Sequence, residues 1–442
     1  MNACFTFHTS LFLTYYITSM KHRRFFHFLL LLLTCNSAFS QDTPQRSAEA
    51  EALLQCFREI YGEKIISGAT ANVNWNINEA KWVYQHTGKW PALNFFDYIH
   101  LPFSAPGSWI DYSVVTEVLN WHRRGGIVGC MWHWNMPTND GKDWTCTPGT
   151  ASGQTSFDVK KIFEPESAEY KQMMQDIDKV AAYLKLLKNR KIPVLWRPLH
   201  EAGGMWFWWG MDAEACNELW RVMYRRFQEK GLDNLIWVWT SAAMWNKPYS
   251  DGYRWYPGDE YVDIVGIDIY NNSTPANIYT SCFKMLKQHS PDKLIALTEC
   301  GNLATISKQW KTGSKWLYFS TWYDYERTNK PGSEAFKSTE HTHADAAWWT
   351  DAFEQDYVLT RDDFKALMTS VQAVQQADQQ FLRMENGEIM ARGEGTLCIY
   401  DLSGHLLRHF QLTGSIQAFT LAGMPRGVYI IRNGNRTLKV RH

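Results

Sequence analysis

The chain has 442 residues, more than an average domain needs, although one α/β barrel could take up most of them. Lys plus Arg and Asp plus Glu both number 45, so the formal charge is zero and neither nucleic acid nor anionic lipid is expected as the main partner. The unusual feature is the aromatic content: 22 Trp, 21 Tyr and 23 Phe. Aromatic planes fill cores, but they also stack on the apolar faces of sugars, so this composition favours a cleft for a carbohydrate or another flat ligand over a purely structural role.

The N-terminal residues have the pattern of a secretory signal peptide. Basic residues follow Met20, an apolar run covers Phe28–Leu33, and small residues occupy the cleavage positions at 38–40. The run is too short for a comfortable membrane span. We therefore expect residues 1–40 to be a leader, with Met20 as its true start, and the mature protein to be secreted or displayed on the cell surface. A lipoprotein anchored through Cys35 is the alternative.

Eight short apolar runs, rich in β-branched and aromatic residues, follow the leader. Several are continuous rather than alternating, as in parallel strands covered on both faces. Helical patterns separate them, most clearly at Ser167–Lys188 and Ala213–Lys230. This alternation predicts an α/β fold, namely a (β/α)8 barrel over residues 41–375. The alternative is an open doubly wound sheet. No GxGxxG motif follows the first strand to support a nucleotide-binding version of such a sheet. The runs are Lys64–Ala69, Pro91–Ile99, Gly126–Trp134, Ile192–Glu201, Leu235–Thr240, Asp263–Tyr270, Lys293–Gly301 and Lys315–Asp324.

The alternation of strand and helix patterns ends near residue 375. Residues 376–395 are polar and without a clear period, which predicts a linker. Four short β-rich segments with glycine-marked turns then predict a small all-β domain over residues 396–442. These segments are Thr396–Leu402, His405–Leu412, Ile416–Leu421 and Gly427–Arg432.

The cysteines do not suggest a metal centre. Seven of the nine remain once the two in the leader, Cys4 and Cys35, are set aside. Cys130 and Cys300 fall inside apolar runs, so we expect them to be buried thiols. No CxxC or Cys/His spacing indicates a metal site, and no cofactor is expected.

Two glutamates mark the ends of the fourth and seventh predicted strands, Glu201 and Glu299. In a barrel of this kind the carboxyl ends of the strands form the active-site face, so both side chains would lie at the mouth. Two carboxyl groups about 5–5.5 Å apart suit a retaining glycosidase, in which one attacks the anomeric carbon while the other protonates the leaving oxygen and then activates water. Either glutamate alone could be a solvated strand end, but the pair in aromatic surroundings favours catalysis.

The residues around these glutamates resemble glycoside hydrolase family 26. The resemblance runs from about Leu53 to Met368 and is most specific at Arg197–Glu201, followed by Trp206–Gly210. It implies a monomeric endo-β-1,4-mannanase acting on mannan, galactomannan or glucomannan. The alternatives are a β-1,3-1,4-glucanase or β-1,3-xylanase, or a carbohydrate-binding barrel without activity. Further matching motifs are Met131–Asn135, Tyr256–Asp259, Asp263–Tyr270 and Thr298–Gly301.

Carried over by position, the resemblance makes Glu201 the general acid/base and Glu299 the nucleophile. Tyr270 would hydrogen-bond to Glu299 and keep it ionised. Tryptophans beside Glu201 would provide the apolar setting that raises the pKa of an acid catalyst, while a hydroxyl donor would favour the charged form of the nucleophile.

The resemblance also implies substrate contacts. Trp206 would line the leaving-group side, and Trp322, at the end of the eighth strand, would be the platform under the distorted sugar. His200 and His133 would make polar contacts to the reacting sugar, and Trp144 is a further candidate. Core packing is the alternative for each of these aromatic residues, and a structural role is the alternative for His133.

The C-terminal segment has a resemblance of its own. Thr396–Gly404, Leu421–Arg432 and Thr437–Val440 resemble the C-terminal sorting domain of type IX secretion substrates from Bacteroidetes-type bacteria. This resemblance implies export through the periplasm and recognition by secretion machinery. The Pro-Asn-Pro usual near the start of such domains is absent, so a carbohydrate-binding or packing module is the alternative.

Overall fold

The computed structural model describes residues 46–72, 75–243, 249–270, 278–369, 381–385, 387–434 and 436–442. The predicted leader, residues 1–40, lies outside the described residues, as does part of the predicted linker. Within these ranges no helix combines the length and the hydropathy needed to cross a membrane.

Eight parallel strands form a closed barrel. Each strand pairs with the next one in chain order, and the last pairs back with the first, where Tyr318 lies opposite Ile66. This closure confirms the predicted (β/α)8 barrel and excludes the open sheet. The strands are β1 (Ile65–Thr70), β2 (Leu93–Asp97), β3 (Ile127–Met131), β4 (Val194–Arg197), β5 (Leu235–Ala242), β6 (Ile264–Tyr270), β7 (Leu294–Gly301) and β8 (Tyr318–Thr321).

Helices surround the barrel and cover the outer faces of the strands. The fourth helix begins after Ser167, whose hydroxyl accepts the backbone N–H of Tyr170, and the fifth begins after Asp212, whose carboxylate accepts that of Ala215. Such caps stabilise a helix by about 1 kcal/mol each. The helices are α1 (Ala48–Ile60), α2 (Asn78–Thr87), α3 (Thr116–Arg123), α4 (Ala168–Lys188), α5 (Ala213–Glu229), α6 (Ile278–His289), α7 (Ile306–Lys311), α8 (Tyr325–Thr328), α9 (Glu334–Lys337) and α10 (Ala346–Phe353), with a further helical stretch at 361–369.

The aromatic residues divide between the core and the barrel mouth. Eleven tryptophans are among the largest fully buried side chains of the described residues, so much of the aromatic content is core. Trp109, in the loop after β2, is 66% exposed, and Trp206, in the segment after β4, is 42% exposed. Since both follow carboxyl ends of strands, these exposed rings lie on the face where barrel enzymes bind substrate.

The C-terminal strands form two antiparallel sheets, with the orders β9-β10-β13 and β12-β11-β14-β15. Two of them, β9 and β10, fall within residues 376–395, where the sequence predicts a linker. They are short, and β9 carries an exposed apolar residue, Met384, which obscures the alternation in the sequence. The domain boundaries themselves stay a prediction. The strands are β9 (Phe381–Glu385), β10 (Glu388–Arg392), β11 (Glu394–Tyr400), β12 (Leu406–Thr413), β13 (Gln417–Phe419), β14 (Val428–Asn433) and β15 (Arg436–Arg441).

Candidate active site

Glu201 lies four residues beyond the end of β4, in a turn with unusual backbone geometry. The strand ends at Arg197, earlier than the sequence pattern predicts, because Pro198 has no N–H for the ladder. Leu199 and Glu201 have φ angles of 47° and 52°, a left-handed conformation that costs a non-glycine residue about 1–3 kcal/mol. The Glu201 N–H donates to the carbonyl of Thr240 at 3.1 Å, which anchors the turn to β5.

Glu299 lies in β7 at an irregularity of the ladder. Ile267 is paired with Leu297, but the next residue of β6, Asp268, is paired with Glu299, so Thr298 is an extra residue. A bulge of this kind redirects the neighbouring side chains and is frequent at active sites. The local geometry therefore accounts for the direction of the Glu299 carboxylate.

Both oxygens of the buried Glu299 carboxylate accept a hydrogen bond. Oε1 accepts from Nη1 of Arg197 at 2.7 Å, and Oε2 accepts from the hydroxyl of Tyr270 at 2.7 Å. Charge-assisted bonds of this length hold a carboxylate in one orientation and stabilise its negative charge.

The side chain of Arg197, from β4, binds two carboxylates and contacts the three strands β5, β6 and β7. Its Nη2 donates to Asp268, and its Nε donates to Thr240 Oγ1 at 2.9 Å. Asp268 also accepts from Thr298 Oγ1 at 2.6 Å. Burial alone would lower the pKa of Arg197, but the charges of Asp268 and Glu299 raise it overall. Sequence reasoning assigned no role to Arg197 or Asp268, although charged residues inside otherwise apolar strands are a usable signal.

The environment of Glu201 differs from that of Glu299. Burial raises the pKa of Glu201 to about 7, and the nearby charge of Glu299 adds to the effect, against smaller opposing contributions from Arg197 and from Trp206. Trp206 Nε1 donates to Glu201 Oε2 at 2.9 Å. One carboxyl group that keeps its proton near neutral pH, beside another whose two oxygens both accept hydrogen bonds, is the arrangement that acid–nucleophile catalysis requires.

His133 and His200 form a hydrogen-bonded chain with Asp97, at the end of β2. Asp97 accepts from His133 Nδ1 at 2.6 Å and from its backbone N–H at 3.1 Å, and the Nε2 atoms of the two histidines are 3.2 Å apart. Burial lowers the pKa of His133, but the Asp97 carboxylate raises it overall, whereas burial and the neighbouring positive charges lower that of His200. Both ring nitrogens of His133 thus have protein partners. Asp97 is a member of this group that sequence reasoning missed.

The predicted aromatic contacts lie at different places in the mouth. Trp322 directly follows β8, is half-buried, and has its ring 5.8 Å from that of His133. Trp144 lies in a short hairpin after β3, and its ring is 6.0 Å from that of Phe103 in the loop after β2. Sequence reasoning also missed Phe103 and Trp109, the exposed aromatics of this loop. Trp144 therefore belongs with these rings, whereas the other predicted residues are linked to one another around the two glutamates.

No group of three or more His, Cys, Asp or Glu side chains is placed to hold a metal ion in the ranges that the structure describes. The seven cysteines there are free thiols, and Cys130 and Cys300 are both buried.

This geometry agrees with the comparisons with known proteins. The model of the family "Glycosyl hydrolase family 26" matches residues 42–362, well over half of the chain. The chain belongs to glycosyl hydrolase family 26. The match covers both glutamates and every barrel strand, so the family assignment rests on the whole barrel rather than on one motif.

Similar proteins carry mannanase names. A mannan endo-1,4-beta-mannosidase of Thermothelomyces thermophilus is 33% identical over 340 residues, which cover 75% of this chain and 64% of that protein. The mannan endo-1,4-beta-mannosidase A of a Piromyces species is 30% identical over 63% of this chain and 45% of its own length. The chain thus spans about half to two-thirds of the length of these relatives.

Solved structures of family 26 have the same fold. The family 26 domain of an endo-beta-mannanase/endo-beta-glucanase from Prevotella bryantii has a TM-score of 0.63 and 35% identity, covering 72% of this chain and 97% of that one. A beta-(1,4)-mannanase from Podospora anserina has a TM-score of 0.60 and 31% identity, covering 74% and 69%.

Proposed function

We propose that the protein is a retaining endo-β-1,4-mannanase that cleaves mannan, galactomannan or glucomannan. The observation that carries this proposal is the unequal pair of carboxyl groups. Glu201 has a pKa raised to about 7, mainly by burial, while Glu299 accepts a hydrogen bond at each oxygen. Two such groups at the carboxyl ends of barrel strands can act as acid and nucleophile in one double displacement.

In the first step, a Glu299 oxygen attacks the anomeric carbon while the glycosidic C–O bond breaks. Glu201 gives its proton to the departing oxygen, and a covalent glycosyl-enzyme forms. In the second step, Glu201 takes a proton from water, the water oxygen bonds to the anomeric carbon, and the bond to Glu299 breaks. Arg197 and Tyr270 hold Glu299 in line for both steps.

Aromatic side chains support a polymeric substrate. Trp206 is exposed next to Glu201, where the leaving sugar would stack, and half-buried Trp322 lies near His133. Phe103, Trp109 and Trp144 extend the aromatic surface along the loops after β2 and β3. Several platforms in one open mouth suit a chain of sugars better than a single terminal residue. The mannanase names of the similar proteins favour mannan among the polymers.

Product analysis on galactomannan, lichenan and xylan, side by side, tests this proposal. We expect manno-oligosaccharides of mixed length to appear early from galactomannan, as internal cleavage requires. Preferential release of oligosaccharides from lichenan would indicate a β-1,3-1,4-glucanase. Preferential release of oligosaccharides from a β-1,3-xylan would indicate a β-1,3-xylanase. Binding without turnover on any polymer would indicate a carbohydrate-binding barrel instead.

We also infer that the protein is exported as a monomer to the cell surface or medium. The basic, apolar and small-residue pattern of residues 1–40 supports a signal peptide. The resemblance of the C-terminal β-strands to a type IX sorting domain supports recognition by that secretion machinery. Fractionation of cells that express the full chain tests this inference, since retention in the cytoplasm would contradict it.

A further inference from the structure

A buried cluster of ionisable side chains lies beside the candidate site and takes no part in the proposed reaction. Glu79, on α2, and His341, in the segment between α9 and α10, are 2.7 Å apart, and both side chains are 0% exposed. Asp324, two residues after Trp322, is also buried. Burying such groups is costly unless their polar atoms have partners, so the contacts within this cluster constrain where its segments can lie.

The hydrogen bonds fix the tautomer of His341. Its Nδ1 accepts the backbone N–H groups of His343 and Ala344, each at 3.0 Å. A nitrogen that accepts cannot carry the ring proton, so the proton lies on Nε2, the atom next to Glu79 Oε1. The other Glu79 oxygen, Oε2, accepts the backbone N–H of Asp324 at 3.2 Å. One oxygen of Glu79 thus accepts a backbone hydrogen bond, whereas the other lies 2.7 Å from His341 Nε2 without the alignment of a hydrogen bond.

The segment that contains His341 connects the residues after β7, which carries Glu299, with the residues after β8, which precedes Trp322. Thr342 donates to Asp324 Oδ2 through its backbone N–H and through its hydroxyl, each at 2.8 Å. The carbonyl of His343 accepts the N–H of Asn302, three residues after Glu299, at 2.8 Å. The segment 341–343 thus spans from the residues that follow Trp322 to those that follow Glu299.

The same segment also packs against the partner of Glu299. The ring of His343 is 5.7 Å from that of Tyr270, in an edge-on arrangement. A Cβ atom at Gly301 would come within 2.5 Å of His343 Nδ1, so the backbone of β7 and this ring are in close contact. A shift of the segment would therefore move both the Tyr270–Glu299 hydrogen bond and the backbone that carries Trp322.

We propose that Glu79 and His341 are positioning residues that set the place of Trp322 relative to Glu299. The proposal rests on the glycosidase function argued above. His341 is uncharged in this tautomer, so Glu79 acts on the segment through the geometry of its contacts with the His341 ring and the Asp324 N–H rather than through an ion pair. A misplacement of about 1 Å between a sugar platform and a nucleophile can cost about a hundredfold in rate.

The change Glu79→Gln tests the proposal with almost no change in shape. A carboxylate accepts at both oxygens, whereas the amide must turn its NH2 toward either His341 Nε2–H or the Asp324 N–H. We expect kcat to fall about tenfold or more, with a much smaller change in KM, because the platform acts mainly in the transition state. The matched control is Glu340→Gln in the same segment, whose side chain is 82% exposed; its kcat should stay within about twofold of wild type.

A second pair of variants covers the case in which Glu79→Gln does not fold. Thr342→Val removes one of the two hydrogen bonds to Asp324 Oδ2 and leaves the backbone bond. We expect kcat per folded molecule to fall several-fold, and Thr342→Ser, which restores the hydroxyl, to return it toward wild type. Such a rescue is not expected if the threonine only fills space.

The kcat of each variant relative to wild type is measured on a polysaccharide that the wild-type protein hydrolyses. The folded fraction of each variant is taken from thermal unfolding. A wild-type kcat in both Glu79→Gln and Thr342→Val overturns the positioning role and leaves the proposed function intact. Wild-type protein without turnover on any polymer overturns the function. Because the positioning role rests on that function, it is overturned with it.

Discussion

Replacing Glu201 by Gln should stabilise the folded protein at alkaline pH, even though it removes most of the activity. Burial raises the pKa of Glu201 from an ordinary value of 4.5 to about 7, and the charge of Glu299 contributes in the same direction. The native state therefore disfavours the ionised carboxylate that catalysis needs in its second step. Gln has nearly the same shape and cannot ionise, so it removes this penalty.

The sign and size of the effect follow from proton linkage. Below pH 4.5 the carboxyl group is protonated in the folded and unfolded states alike, and the pKa difference has no effect. Between pH 4.5 and 7 the unfolded chain releases the proton while the folded protein keeps it, so the free energy of unfolding falls as the pH rises. The total loss, complete above pH 7, is about 3 kcal/mol at about 1.4 kcal/mol for each pH unit. For a domain of this size it corresponds to a fall of about 4 °C in the unfolding midpoint.

Calorimetry of wild type and Glu201→Gln between pH 4 and pH 9 measures this loss, because contributions from groups that do not interact with Glu201 cancel in the difference. We expect the two midpoints to lie closest at the acidic end and Glu201→Gln to gain about 4 °C relative to wild type by pH 8. Glu166→Gln is the control, since that side chain is 96% exposed, and its difference from wild type should not change with pH. A constant difference between wild type and Glu201→Gln across the range would refute a raised pKa at this position.

Three further changes probe the catalytic assignment and the C-terminal segment. Glu299→Ala should fold, with a lower free energy of unfolding because Nη1 of Arg197 loses its acceptor. It should keep far less than about a tenth of the wild-type rate, and a larger residual rate would show that Glu299 is not the nucleophile. Glu201→Ala should lose most activity on mannan but give a burst with an activated aryl mannoside, and azide should restore turnover with retained configuration; an inverted azide product would exclude the retaining mechanism. Deletion of the chain from residue 375 should leave hydrolysis of soluble mannan intact and impair export, whereas a folded but inactive product would place part of the site in the removed segment.

The barrel could be predicted because its strands have a strong local signal. β1, β2 and β3 are buried along their whole length, and most of their residues are apolar or small. A compositional pattern of this kind depends only on near neighbours in the sequence. Strand ends were less predictable. The fourth run extends in sequence to Glu201, whereas the strand stops at Arg197 and the chain turns through left-handed conformations that no residue type there demands.

The interior of the candidate site could be predicted only in part. The resemblance pointed to Glu201, Glu299 and Tyr270, but the partners that set their charge come from distant positions. Arg197 reaches Glu299 across 102 residues, and Glu79 meets His341 across a still longer separation. A single sequence carries no record of such pairs, because a buried charge in a strand indicates that a partner exists without saying which one.

Arg197 distinguishes the two glutamates to which the proposed mechanism gives different parts. Three carboxyl groups, those of Glu201, Asp268 and Glu299, influence one another electrostatically in this pocket. Arg197 donates to Asp268 and Glu299 but only weakens the rise in the pKa of Glu201 from a distance. Burial also raises the pKa of Asp268 well above its ordinary value, and the charge of Arg197 opposes that rise. The fork of Arg197 therefore distinguishes the glutamates by geometry, since it donates to Asp268 and Glu299 directly and leaves Glu201 outside its hydrogen bonds.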